Sequence, residues 1–109
     1  MAYKVLGQAN PAATTNTDIY TVPALNETVI SSIVIANLTA TAATFRIAVR
    51  PAGAAIANKH YIAYDITVGA SDSTALTLGV TMAATDVLTV YASTASVSFN
   101  VFGTESLVA

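Results

Sequence analysis

Few residues in this chain could do chemistry. It holds one histidine, His60, no cysteine, six carboxylates and four bases. A transition-metal site draws three or four ligands from His, Cys, Asp and Glu. His60 has no second His or Cys to join it. Asp65 is the nearest acid, but an odd separation puts it on the opposite face of a strand. His60 therefore reads as a loop-to-strand boundary residue beside Lys59, and no metal or cofactor is expected. A Ser-His-Asp triad would have to use that one histidine, and no Gly-x-Ser-x-Gly elbow presents a serine. The five glycines form neither Gly-x-Gly-x-x-Gly nor a phosphate-binding loop.

The carboxylates are Asp18, Glu27, Asp65, Asp72, Asp86 and Glu105. A glycosidase needs two of them converging in a cleft. Asp18, Asp72 and Asp86 fall at strand starts or turns, where aspartate bonds its own backbone. Asp65 differs: it is a charge in mid-strand, placed to pair with Arg46 or Arg50 across the sheet or to face a partner. These residues predict a chain that is not an enzyme. Tyr3, Tyr20, Tyr61, Tyr64 and Tyr91 are scattered. A carbohydrate-stacking platform is one reading of them; a buried ring with a wet hydroxyl is the commoner one. Asn26-Glu27-Thr28 and Asn37-Leu38-Thr39 match the glycosylation pattern, and without a secretory signal both read as chance.

Arg46 and Arg50 stand four residues apart, so on a strand both point the same way, roughly 13 Å apart at about 3.3 Å per residue. Ala48 between them keeps that face flat. With Lys59 and Asp65 they form a candidate interface, the arginine forks suiting a carboxylate on a neighbouring copy. The competing reading is a solvated outer face.

Composition points to the elements that carry these groups. Charged residues are 9% of the chain, against about 25% in an average protein. Four bases and a net charge of −2 leave no basis for phosphate-driven nucleic-acid binding. Mean hydropathy is +0.63, yet apolar runs such as Ile33-Val34-Ile35-Ala36 fall far short of the roughly 20 residues of a membrane helix. No contact with membrane is expected. Met1-Ala2-Tyr3-Lys4 leads into no apolar stretch, so no signal peptide is expected. Of 109 residues, 22 are Ala, 16 Thr and 8 Ser, joined by 12 Val and 8 Ile. Small and β-branched residues suit closely packed sheets, and no long segment repeats its apolar positions with a helical period.

Alternation and turn residues mark about eight strands. They predict one all-β domain over residues 1–109, a two-layer antiparallel β-sandwich, immunoglobulin-like or jelly-roll-like. The expected core is Ile33, Phe45, Ile47, Val49, Ile62, Leu76, Leu78, Val90, Phe99 and Val101. Residues 28–38 carry large apolar residues at both parities, so both faces of that strand are expected to be buried, one by another subunit. Residues 60–68 are expected to put Ile62, Tyr64, Ile66 and Val68 on one face. Residues 8–17 are expected to be an extended arm or loop and residues 103–109 a tail, both outside the sandwich against neighbouring chains. So little charge suits a subunit covered by copies of itself.

The strings Asp18-Ile19-Tyr20-Thr21-Val22-Pro23-Ala24, VISSIVIAN at 29–37 and TFRIAVRPAG at 44–53 resemble small β-sandwich structural proteins in the virions of tailed bacteriophages, cyanophages among them. The likeness continues through IANKHYIAYD at 56–65 and Ala83-Ala84-Thr85-Asp86-Val87. Many of those proteins have Gly after the Pro-Ala, where this chain has Leu25-Asn26. The resemblance implies a non-enzymatic virion component, made in the host cytoplasm. One role it implies is a capsid decoration (cement) subunit on the particle exterior, bound to the major capsid protein or another virion protein. Decoration proteins as a class imply a trimer. The alternative is a receptor- or glycan-binding module at the neck, tail or fibre.

Overall fold

The computed structural model describes residues 2–108. Nine strands follow one another: β1 (Ala2–Ala9), β2 (Thr17–Thr21), β3 (Asn26–Asn37), β4 (Ala43–Arg50), β5 (Tyr61–Val68), β6 (Ser73–Leu76), β7 (Val80–Met82), β8 (Val87–Ala92) and β9 (Val97–Leu107). They form two antiparallel sheets packed as a β-sandwich. The first runs β1-β9-β3-β6, with β7 also on β3; the second runs β2-β8-β4-β5. β6 lies along Ile33–Ala36 and β7 along Thr28–Ile30 of β3, so together they act as one interrupted strand. The first strand then pairs with the last, the second with the last but one, the third with β6 and β7, and β4 with β5. That nesting is the jelly-roll order, one long antiparallel ribbon rolled into two sheets. Of the two topologies open from the sequence, this is the one the chain adopts.

Alternation explains the core where one face is buried. Phe45 and Ile47 of β4, Val90 of β8, Ile33 of β3, and Phe99 and Val101 of β9 all point between the sheets and are buried. Phe45 and Phe99 meet edge to face with centroids 6.2 Å apart, joining the two layers. Val49 and Leu76 pack against this cluster while partly exposed. Ile62 and Leu78 do not join it, being 42% and 48% exposed. Leu78 falls in the break between β6 and β7, next to Gly79 with φ +62°. Ile62 sits at a bulge on the edge strand β5.

β3 resolves its two apolar parities with a bulge. Pairing with β9 passes from Ile30 opposite Gly103 to Ser32 opposite Phe102, leaving Ser31 extra. One inserted residue switches which parity faces inward. Thr28 and Ile30 point inward before it; Ile33, Ile35 and Asn37 do so after it. Both parities thus feed one core, whereas Val29 and Leu38 are exposed. The chain by itself buries one face of β3 at a time, and the outer face that carries Val29 is left open to another subunit.

The expected tail is also corrected. Residues 103–107 are the second half of β9, lying between β1 and β3. A Cβ on Gly103 would strike the Val29 carbonyl oxygen and crowd Ile30 Cα, with the Leu6 side chain beside it. Only glycine fits where bulges at Leu6 and Ser31 crowd both flanks. The expected arm is tied down as well. Gln8 and Ala9 belong to β1, and Thr17 opens β2. Between them Pro11 is buried, and the Asn10 amide donates to the carbonyls of Ala95 and Val97, each at 2.9 Å.

Candidate functional site

The outer face of the second sheet gathers most of the groups singled out from the sequence. Across β8, β4 and β5 the register sets Tyr91 beside Arg46, and Arg46 opposite a bulge at Tyr64 and Asp65. Asp65 adopts φ +51° in mid-strand, a left-handed conformation that non-glycine residues enter at a cost. The bulge turns its carboxylate onto Arg46. Arg46 Nε donates to Asp65 Oδ1 at 2.6 Å, and Nη2 donates to Oδ2 at 3.3 Å. The guanidinium lies 4.2 Å from the Tyr64 ring centroid and 4.3 Å from that of Tyr91. The hydrogen bonds to Asp65 raise its already high pKa further, so it is a permanent cation between two rings.

Tyr61 extends the row. Its ring centroid is 4.9 Å from that of Tyr64, the planes at 83°. A strict period of two would put residues three apart on opposite faces. Register shifts on both sides of Ala63 bring both rings to the outer face instead, which corrects the expected single face of Ile62, Tyr64, Ile66 and Val68. Ala63 and Val68 face the core, and Tyr64 is 55% exposed. Asn58, Tyr61 and Tyr64 line an open depression of about 450 Å³.

Arg50 is engaged elsewhere within the chain. Its Nη2 donates to Asp18 Oδ1 at 2.9 Å and its Nε to Thr89 Oγ1 at 3.0 Å. Its Nη1 reaches the carbonyl oxygens of Gly53 and Ala54. Arg50 thus pins the connection after β4 to β2 and β8. Asp18 serves this ion pair rather than a turn, which corrects its reading as turn chemistry. Asp72 and Asp86 do cap turns, accepting from the backbone N–H of Ser73 and of Ala83. Lys59 forms no ion pair among the described residues. His60 is buried, its Nδ1 accepting from the Ala57 N–H at 3.0 Å. Among the described residues no three His, Cys, Asp or Glu side chains cluster as a metal site would require.

Sequence reasoning missed a polar cluster at one end of the sandwich. Tyr20 of β2 donates to Glu105 Oε2 at 2.5 Å and shares a hydrogen bond with Thr28 at 2.7 Å. Lys4 Nζ meets Glu105 Oε1 at 2.5 Å. Burial, then the Glu105 contact, pushes the Tyr20 phenol up to about 12. The Lys4 and Tyr20 hydrogen bonds hold the Glu105 carboxyl below its usual range. Continuing the alternation of Val97, Phe99 and Val101 by two more steps would have pointed to Glu105.

The first sheet's outer face is different in character. Its strands carry Lys4, Glu27 and Glu105, and two of these pair with each other toward β2. Glu27 alone among the described residues charges that face, at one end. The rest of the face includes Tyr3, Val5, Gln8, Val29, Val34 and Phe102 among serines, threonines, Ala36 and Asn100. The sandwich's edges are all interrupted: β1 by a bulge at Leu6, β2 at Ile19, β5 by two irregularities, and β6 and β7 by their break. Interrupted edges resist strand-to-strand pairing with other chains. No protein-family model matches this chain, and no curated protein or solved structure does either.

Proposed function

We propose that this chain is a non-enzymatic structural subunit of a tailed-phage virion, a capsid decoration (cement) protein on the particle exterior. It works through contacts with copies of itself, as a trimer, and with the shell protein. The observation that carries this reading is the broad, nearly uncharged outer face of the β1-β9-β3-β6 sheet. The molecule's 47 × 29 Å broad dimensions accommodate the roughly 800 Å² per partner of a standard interface. An uncharged face repels neither a neighbouring copy nor a shell protein, and the interrupted edges favour joining by faces. The resemblance to virion proteins supplies the particle. The jelly roll, a fold that capsid proteins share with lectins, agrees by analogy alone.

Electron cryomicroscopy of the intact particle tests the reading. Many copies at regular positions on the shell are expected. A few copies confined to the neck, tail or fibres would favour the receptor- or glycan-binding alternative. Light scattering of the purified chain at micromolar concentration is expected to report an oligomer that Val29→Lys dissociates. A species of 11 kDa alone would overturn the self-association.

A further inference from the structure

We propose that the corner formed by Tyr61, Tyr64 and Asn58 is a carbohydrate subsite that takes a single pyranose ring. This goes beyond the structural role and does not depend on where the chain sits in a particle. Three observations lead to it. Tyr61 and Tyr64 stand nearly perpendicular, at 83° and 4.9 Å, and both line the same open depression. They therefore make two walls of a corner rather than a flat stack. Asn58 completes the lining with an amide that both donates and accepts.

The second observation is that the ring is held in place. Arg46 lies against Tyr64, and Asp65 holds Arg46 through two hydrogen bonds from a left-handed backbone position. Aspartate tolerates this conformation better than most residues, and here it aims the carboxylate at Arg46. A ring fixed before the ligand arrives loses little entropy on binding.

The third observation is the charge of the site. The Arg46 guanidinium is neutralised by Asp65 and flanked by the Tyr64 and Tyr91 rings, so it leaves no free cation for a phosphate or carboxylate. The depression is lined by two tyrosines and one asparagine and by no charged side chain. A pyranose matches it: its C–H face packs on one ring while its rim of hydroxyls meets the amide and the second phenol. A depression of about 450 Å³ falls within the usual range for small-molecule sites, about 300–1,000 Å³.

The test uses the whole chain, ¹⁵N-labelled, titrated with the methyl pyranosides of glucose, galactose, mannose and N-acetylglucosamine. Saturation-transfer NMR reads the sugars and amide shifts read the protein. At least one sugar is expected to receive saturation, with amide shifts centred on Asn58, Tyr61 and Tyr64. Tyr64→Ala is expected to weaken that binding about tenfold. Asn58→Ala, a turn substitution that spares the ladder, is expected to weaken it too. Leu25→Ala removes an exposed side chain, 71% exposed, from the turn before β3 and is expected to leave sugar binding unchanged. The proposal is overturned if none of the four sugars receives saturation. It is equally overturned if binding survives Tyr64→Ala and Asn58→Ala, or if the shifts map to another surface. Engagement of this corner by the shell protein, with no sugar binding, would make it a protein contact instead.

Discussion

Tyr20 and Glu105 lie 85 residues apart in the chain and 2.5 Å apart in the fold. Their contact ties β2 of one sheet to β9 of the other, and Lys4 from β1 closes the group. The folded Glu105 carboxyl is held below its ordinary value, first by Lys4 and then by Tyr20. Its stabilisation is therefore complete above the unfolded carboxyl value, about 4.3. It is lost as pH falls through the lower folded value. Tyr20 acts with the opposite sign at the alkaline end. Its contribution is complete below about 10 and fades as pH climbs towards about 12. Urea melts of Glu105→Gln at neutral pH are expected to show a loss of about 1–2 kcal/mol. The difference from the parent chain should shrink at pH 3. A constant difference across that range would separate Glu105 from the acid response.

Gly103 makes the sharpest steric prediction. A methyl group there has nowhere to go but into the backbone of β3. Gly103→Ala is expected to cost about 2–3 kcal/mol, as overpacking does. Deleting residues 103–109 should go further and abolish cooperative unfolding, because β1 and β3 lose shared backbone partners. A truncated chain that melts like the parent would show that β9 ends before Gly103.

What the sequence made legible follows from where period-two alternation survives. In β4, Phe45 and Ile47 alternate with Arg46 and Ala48 without interruption, and their inward positions were readable. In β9 the same reading stopped at Phe102, because the next inward positions are Gly103 and Glu105. One is small to avoid a backbone and the other is charged to meet Lys4, so neither signals a buried slot. In β3 and β5 extra residues reset the parity, and a rule that counts by twos then assigns faces wrongly. Of the site, the Arg46–Asp65 pairing was one of the readings open from the sequence. The joining of Tyr61, Tyr64 and Tyr91 to it was not, since two of those rings reach one face only through register shifts in β5.

Leu25 occupies a position made for glycine. Asn26 N–H bonds the Pro23 carbonyl at 3.2 Å, closing a four-residue turn whose third residue, Leu25, has φ +63°. That is the position where a type II turn favours Gly. The side chain is 71% exposed, so little packing is lost on its removal. Left-handed strain of about 1–2 kcal/mol outweighs the entropy cost of glycine, about 0.5–1 kcal/mol. Leu25→Gly is expected to stabilise the chain by up to about 1 kcal/mol. A lower denaturation midpoint at unchanged slope would mean that Leu25 packs against something in solution.

Arg50 separates an internal role from an interface role. Its guanidinium already bonds Asp18, Thr89 and two loop carbonyls of its own chain. Side-chain exposure is 17% for Arg50 and 55% for Asp18, so the pair is half sheltered. Loss of the arginine leaves the Gly53 and Ala54 carbonyls to water and Asp18 with Thr89 alone. Arg50→Ala is expected to lower stability by about 1.5–3 kcal/mol, the range for hydrogen bonds to charged groups. The loss should appear in dilute protein as fully as in concentrated protein. Arg46→Ala is expected to act differently, releasing Tyr64 and Tyr91 and flattening the near-ultraviolet circular dichroism of the tyrosines. Light scattering on both variants completes the test. If Arg50→Ala melts like the parent chain yet dissociates the oligomer, the arginine serves a neighbouring subunit. The internal bonds would then be secondary.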